Sequence, residues 1–234
     1  MNMKFGITQP NQCSYLPDEK EQILVLVSDN SPTRHQYDYL ISMGFRRSGG
    51  QVYRPHCQTC KACEPIRLPV ALFEPSKSQK RIAKRNQDLR IEISELDKPE
   101  YYDLFASYIN QRHADGSMYP PSEEQYQGFV PSPWGDTLFI EFHDQQELIA
   151  VAITDNLFRS LSAMYTYFKP GEEKRSLGIF AILKQIEIAK SMNKEFLYLG
   201  YQIDNCQKMR YKQNFLPNER FFEDKWHLFA KSSV

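Results

Sequence analysis

The chain has 234 residues, which allows one domain or two small ones at the ~100–200 residues typical of a domain. Hydrophobic residues make up 41% and charged residues 25%, a globular balance that excludes a disordered chain. Lysine plus arginine number 29, as do aspartate plus glutamate, so the formal net charge of zero excludes a globally basic nucleic-acid binder.

Residues 23–27 form the longest aliphatic run and read as a strand. The run is far shorter than the ~20 apolar residues of a membrane helix. The first ten residues lack the charged-then-apolar layout of a signal peptide. These features point to a cytoplasmic protein with no membrane partner. Residues 33–42 have helical spacing, with Tyr37, Leu40 and Ile41 on one side and Gly44 as the stop. Gly49-Gly50 marks a turn, residues 51–54 a strand, and residues 66–70 another strand bounded by Pro65 and Pro69.

Three of the five cysteines lie between those two strands, in the run Cys57-Gln-Thr-Cys60-Lys-Ala-Cys63. In a reducing compartment disulfides rarely persist, and a double C-x-x-C step lets a tight turn aim successive sulfurs at one metal. Cys13 is the candidate fourth ligand, which would tie the N-terminal strand region to the turn. Zinc and an iron–sulfur cluster both accept such thiolates. A turn of packed thiols without metal remains open, and His56 reads as a neighbour rather than a ligand.

Residues 76–90 read SKSQKRIAKRNQDLR. Lys77, Lys80, Arg81, Lys84 and Arg85 fall at i, i+3, i+4, i+7 and i+8, which a helix places on one face. No acidic residue lies between Lys77 and Arg85. Like charges at i,i+4 cost an isolated helix a few tenths of a kcal/mol per pair, so their concentration suggests an external anion. A phosphate backbone fits, and the five are the candidate nucleic-acid contacts. A solvated helix face is the alternative.

The second half has a clearer rhythm. Residues 136–142, 148–154 and 161–168 read as strands, 176–192 as a helix and 196–201 as a strand. This is the order of an acyltransferase-like α+β domain. The expected organisation is a small cysteine-containing N-terminal domain over residues 1–95, followed by a GNAT-like acyltransferase domain over 96–234. Arg175-Ser-Leu-Gly178-Ile-Phe180 resembles a weakened R/Q-x-x-G-x-G/A loop of the GNAT acyltransferases, in which backbone N–H groups at a helix start cradle a pyrophosphate. Phe180 replaces the last small residue, where a ring obstructs coenzyme A. An ordinary helix start with Ser176 as N-cap is the alternative. Further on, Lys208, Arg210 and Lys212 alternate with Met209 and Tyr211, a pattern suited either to binding a carboxylate or phosphate or to protecting an edge strand.

Several segments together resemble the aminoacyl-tRNA–protein transferases of the N-degron pathway. They are Cys13-Ser-Tyr-Leu16, Gly44-Phe-Arg-Arg-Ser-Gly49, Tyr53, the cysteine run, and Arg112-His-Ala-Asp-Gly-Ser-Met118. The others are residues 162–168, Ser176-Leu-Gly178, Tyr198-Leu-Gly-Tyr201 and Cys206-Gln-Lys-Met-Arg-Tyr-Lys212. Leu16 in place of a second cysteine, the double C-x-x-C and the short chain are similar to the bacterial, leucyl-transferring branch. That resemblance implies transfer of leucine from leucyl-tRNA to proteins with N-terminal Asp or Glu, marking them for degradation. It also implies zinc or an iron–sulfur cluster at the N-terminal cysteines.

The donor is an activated ester and the nucleophile an α-amine with a reference pKa of ~7.7–8.0, so positioning can replace a strong base, and the chemistry needs no cofactor. Lys208, Arg210 and Arg175 are expected to receive the acceptor's acidic side chain, because a buried unpaired carboxylate is expensive. His113 is the candidate proton carrier, and a hydrogen-bonded loop histidine is its alternative. Tyr201, Ser176, Lys212, Arg112 and Asp115 are the expected substrate-binding residues, and Cys206 is expected to be structural. The competing readings are an arginyl donor, a coenzyme-A-dependent N-acetyltransferase and a non-catalytic RNA-binding module.

Overall fold

The structure, a computed structural model, describes residues 3–28, 31–116, 118–132, 134 and 136–231. Ser117, within one of the motifs above, lies outside the described residues. In chain order the strands and helices are β1 (Lys4–Ile7), β2 (Asn11–Gln12), β3 (Lys20–Glu21), β4 (Ile23–Val27), α1 (Arg34–Ser42), β5 (Arg46–Ser48), β6 (Gln51–Pro55), β7 (Glu64–Pro69) and α2 (Lys77–Arg85). They continue as β8 (Arg90–Ser94), α3 (Pro99–Arg112), α4 (Glu123–Phe129), β9 (Thr137–Asp144), β10 (Glu147–Asn156), β11 (Ser160–Phe168), α5 (Leu177–Ser191), β12 (Phe196–Gln202), β13 (Asn218–Phe222) and β14 (Lys225–Phe229).

An eight-stranded sheet organises the chain, in the order β14-β13-β7-β12-β11-β10-β9-β8. Its pairs are antiparallel except β11 and β12, which run parallel through the α5 crossover. On one face, α5 and α2 cover Ile66, Leu68, Leu161, Leu197 and Leu199, together with Ile140, Phe142 and Ala150. On the other, α3 and α4 bring Tyr101, Phe105, Ile109, Tyr126 and Phe129 onto Phe139, Val151, Ile153 and Tyr167. The smaller sheet β1-β4-β6-β5 and α1 meet the large sheet through Tyr37, Leu40, Ile41 and Val52 against Leu157 and Tyr198.

Local chemistry explains several boundaries. Thr33 and Gln36 form a capping box at α1, as do Ser76 and Gln79 at α2. Gly44 has φ +83°, and a Cβ there would stand 2.8 Å from a Pro65 ring carbon, so only glycine passes. The expected domain boundary at residue 95 falls between β8 and α3. The strands β7 and β8 precede it and are nevertheless hydrogen-bonded into the large sheet.

Arg47 fastens the smaller sheet to the larger one. Its side chain is fully buried and bonds Asp155 on β10 through Nε to Oδ2 at 2.8 Å and Nη2 to Oδ1 at 2.5 Å. The remaining donors reach the carbonyls of Phe129, Val130 and Pro131 at 3.1, 3.0 and 3.2 Å, closing the open end of α4. Removing one partner of such a pair strands the other charge. Asp155→Ala is therefore expected to cost about 3–5 kcal/mol in urea denaturation. A loss below about 1 kcal/mol would match an exposed ion pair and contradict this role.

Candidate active site

The strands β11 and β12 pair only at Ser160–Phe196, Leu161–Leu197 and Ser162–Tyr198, and then part. The opening faces the start of α5 and the chain leaving β12. Such a split between parallel strands gives a substrate two unpaired backbone edges and a helix N-terminus.

Arg46 lies in the opening. Its Nη2 reaches the carbonyls of Ala163 and Met164 on β11 at 3.5 Å each. On the other side, Gly200 of β12 has φ +80°, and a Cβ there would stand 1.8 Å from Nη1. Glycine is thus required both by the backbone and by the guanidinium lying on it. Tyr201 places its ring 5.8 Å from the guanidinium carbon and donates its hydroxyl to the carbonyl of Gly44 at 3.1 Å. Burial raises the Tyr201 phenol well above its ordinary pKa.

Lys212 belongs to the 3-10 turn Arg210–Asn214, which follows β12. Its ammonium donates to the Tyr201 carbonyl at 2.7 Å. Burial and then the nearby Arg46 charge push its pKa down to about 7. Neither Arg46 nor Lys212 has a carboxylate partner among the described residues.

The rim brings two expected groups together. Lys208 lies 3.7 Å from Asp115, both exposed, and Arg210, two residues after Lys208, is exposed too. His113 caps the end of α3, with Nε2 3.2 Å from the Tyr108 hydroxyl. Burial, then Lys208 and Arg112, holds the His113 pKa below the usual histidine value, so the ring is neutral at pH 7. Arg112 pairs with Glu173 at 3.0 Å and lies over Phe168.

Arg175 is placed differently from the sequence expectation. Its guanidinium is held by Asp88 and Asp144, each at 3.0 Å, and by Glu172 at 3.1 Å. It pins the α5 start to β9 and to the end of α2, and those three carboxylates already neutralise it. Ser176 stands at the N-cap position in the left-handed region, φ 56°, with no side-chain cap bond. Phe180 turns inward onto Phe142, ring centroids 5.6 Å apart, and anchors the helix instead of filling the loop.

The basic stripe forms α2 as the spacing predicts. Lys77, Lys80, Arg81, Lys84 and Arg85 are all exposed, while Gln79, Ile82 and Ala83 face the protein. Arg85 donates to the Lys174 carbonyl, and Gln79 reaches the Asn214 carbonyl at 3.3 Å, so the stripe is fixed to both the α5 start and the turn after β12.

The four cysteines share another cleft, of about 980 Å³, with Tyr15, Tyr53 and Tyr201. Cys13 leaves β2, and the other three lie in the β6–β7 connection. Burial and then the neighbouring thiols Cys13, Cys57 and Cys60 push Cys63 up to about 12. The donor set suits zinc or an iron–sulfur cluster. Sulfurs of a closed zinc site, at ~2.3 Å from the metal, stand about 3.8 Å apart. Among the described residues no three cysteine sulfurs gather even within 4.8 Å, whereas Glu92, Glu141 and His143 do. There Lys98 and Tyr101 already bond Glu141, at 2.6 and 2.5 Å.

Sequence reasoning missed Arg46. The Gly44-Phe-Arg-Arg motif was a signal for it, but the paired Gly200 is remote in sequence.

The family described as "Arginine-tRNA-protein transferase" matches twice, its N terminus over residues 11–81 and its C terminus over residues 100–222. The "Aspartate/glutamate leucyltransferase" of Pseudoalteromonas atlantica (strain T6c / ATCC BAA-1087) is 58% identical, covering 98% of this chain and 99% of its own. The protein of the same name from Aeromonas salmonicida (strain A449) is 50% identical, covering 96% and 94%. Among solved structures, L-PGS from Bacillus licheniformis superposes with a TM-score of 0.50 at 12% identity, covering 75% of this chain and 62% of its own. That likeness is one of fold. The architecture is a mixed α/β one, an eight-stranded sheet with helices on both faces.

The depressed Lys212 pKa has a thermodynamic consequence. Between about 7 and the unfolded value of 10.5 the unfolded chain binds the extra proton, so this group's contribution to stability rises with pH across that window. It is lost as pH falls through 7. Urea denaturation at pH 7 and pH 9.5 is expected to show this gain in the wild type and a smaller one in Lys212→Met. An equal gain in both would place the Lys212 ammonium in water.

Proposed function

The chain belongs to the arginine-tRNA–protein transferase family, and from that premise we infer that it transfers leucine from leucyl-tRNA to proteins that begin with Asp or Glu, marking them for degradation. The observation that carries donor and acceptor is the near full-length identity to relatives named for that specificity.

The parted strands and the cations around them support the reaction. The acceptor's α-amine attacks the ester carbonyl of leucyl-tRNA. An amide bond forms, the ester C–O bond breaks, the amine releases a proton and the tRNA 3′-terminal ribose oxygen takes one up. The ester is already activated, so correct placement of amine and carbonyl supplies much of the acceleration. Backbone N–H groups at the start of α5 are suited to the developing oxyanion. Neutral His113, beside Tyr108, is suited to carry the proton. Lys208, Arg210, Arg112 and Asp115 line the approach, with Tyr201 and Ser176 on the two sides of the opening. The exposed cations of α2 would hold the tRNA backbone by counterion release, a local and salt-sensitive contact that a net-neutral protein can make.

A zinc ion or iron–sulfur cluster, if bound, would be held by Cys13, Cys57, Cys60 and Cys63. It would fix the loop after β2 to the β6–β7 connection.

The test offers total charged tRNA and peptides differing only at residue one. Mass spectrometry is expected to find leucine added to Asp and Glu peptides alone. Arginine addition would move the donor to the other branch, and addition to no peptide would contradict transfer.

A further inference from the structure

Several buried and partly buried arginines have carboxylates of their own. Arg47 has Asp155, Arg67 has Glu219, Arg175 has three partners, and Arg220 has Glu64 and Asp204. Like Arg54, which bonds the Met43 carbonyl at 3.2 Å, Arg46 is partly buried and has no carboxylate partner among the described residues. Its charge faces the phenols of Tyr15, Tyr37, Tyr53 and Tyr201 and two backbone carbonyls at the 3.5 Å limit of a hydrogen bond. Lys212, a second buried cation without a carboxylate among the described residues, lies nearby. Two desolvated cations close together repel each other and forfeit hydration, a cost that an anion between them offsets.

We propose that Arg46, with Lys212 beside it, is the seat of the acceptor's side-chain carboxylate and determines the choice of an acidic N-terminal residue. This rests on the transfer reading above. The geometry favours the seat over the cations expected from sequence. In an N-terminal Asp the side-chain carboxyl carbon is three bonds from the α-amine nitrogen, and in Glu it is four. The receptor must therefore lie inside the opening, not at its edge. Lys208, with its side chain 72% exposed, is at the edge, and Arg175 is occupied by three carboxylates.

The guanidinium fork matches a carboxylate, and its Nε and Nη1 make no hydrogen bond within the described residues. Gly200 provides the floor that admits the fork between the strands. Burial gives the discrimination. Asn or Gln in the same place would leave the cations desolvated and unneutralised, and a site built for a charged partner rejects its neutral analogue strongly.

The test uses fluorescent peptides beginning with Asp, Glu or Asn and otherwise identical. Peptide binding is read by anisotropy, leucyl-tRNA binding in parallel, and transfer by mass spectrometry. Arg46→Met is expected to weaken Asp and Glu peptides at least about 30-fold while leaving the Asn peptide and leucyl-tRNA within about twofold. Should that variant lose its cooperative thermal transition, Arg46→Gln keeps a donor for the β11 carbonyls and gives the same reading. An Asp-over-Asn preference that survives in the variant would overturn the assignment. So would a loss confined to leucyl-tRNA, which would give the cation to a phosphate. If the wild type binds acidic peptides through Arg46 yet adds no amino acid to them, the transfer reading fails and the seat stands.

Discussion

The short pairing between β11 and β12 is the constraint on which the site depends. After three residue pairs the strands separate, and each is left with unpaired backbone groups that need partners. Arg46 supplies donors to β11, and Gly200 on β12 has the backbone angle and the missing side chain that let it enter. Arg46 and Arg47 are neighbours on β5, so their side chains leave on opposite faces. One enters the opening and the other is pinned to Asp155. The N-terminal part of the chain thus completes a site whose frame belongs to the C-terminal part.

The zero net charge follows from how the cations are shared out. Carboxylates neutralise the structural ones: Asp155 at Arg47, Glu219 at Arg67, and Asp88, Asp144 and Glu172 at Arg175. Among the cations without such partners are those on the outer face of α2 and the Arg46–Lys212 pair. The first is suited to a flexible phosphate backbone in water, the second to a single desolvated anion. A balanced total therefore coexists with local sites suited to anions.

Much of this was legible in the sequence. The 3.6-residue period gave α1 and α5 and the one-sided cations of α2, and β9, β10, β11 and β12 read as strands, with the ends of α1, α5 and these four strands within two residues. The position of β7 was not legible, because Pro65 and Pro69 argue against an interior strand, yet β7 lies between β13 and β12. Pairing with β13 at only Arg67 and Ile66, and a register shift against β12, accommodate it. In α3, Tyr101, Phe105, Tyr108 and Ile109 carry a readable period, with Pro99 at the start, though aromatic residues at these positions suit strands as well. The hairpin β13–β14 turns at Glu223 and Asp224, both with positive φ, without the glycine that usually announces such a turn. For the site, spacing identified the cations but not their carboxylates. Asp88 and Asp144 meet Arg175 only through the folded sheet, and Gly200 meets Arg46 only across the opening.

The central claim is that the opening between β11 and β12 receives the acceptor's first residue. A crystal structure with a short Asp-initiated peptide tests it most directly. The Asp carboxylate is expected within about 3 Å of the Arg46 guanidinium, as for any charge-assisted hydrogen bond, and the free amine directed toward the α5 start. A peptide with its carboxylate away from Arg46, for example on Lys208 and Arg210 outside the opening, would contradict it.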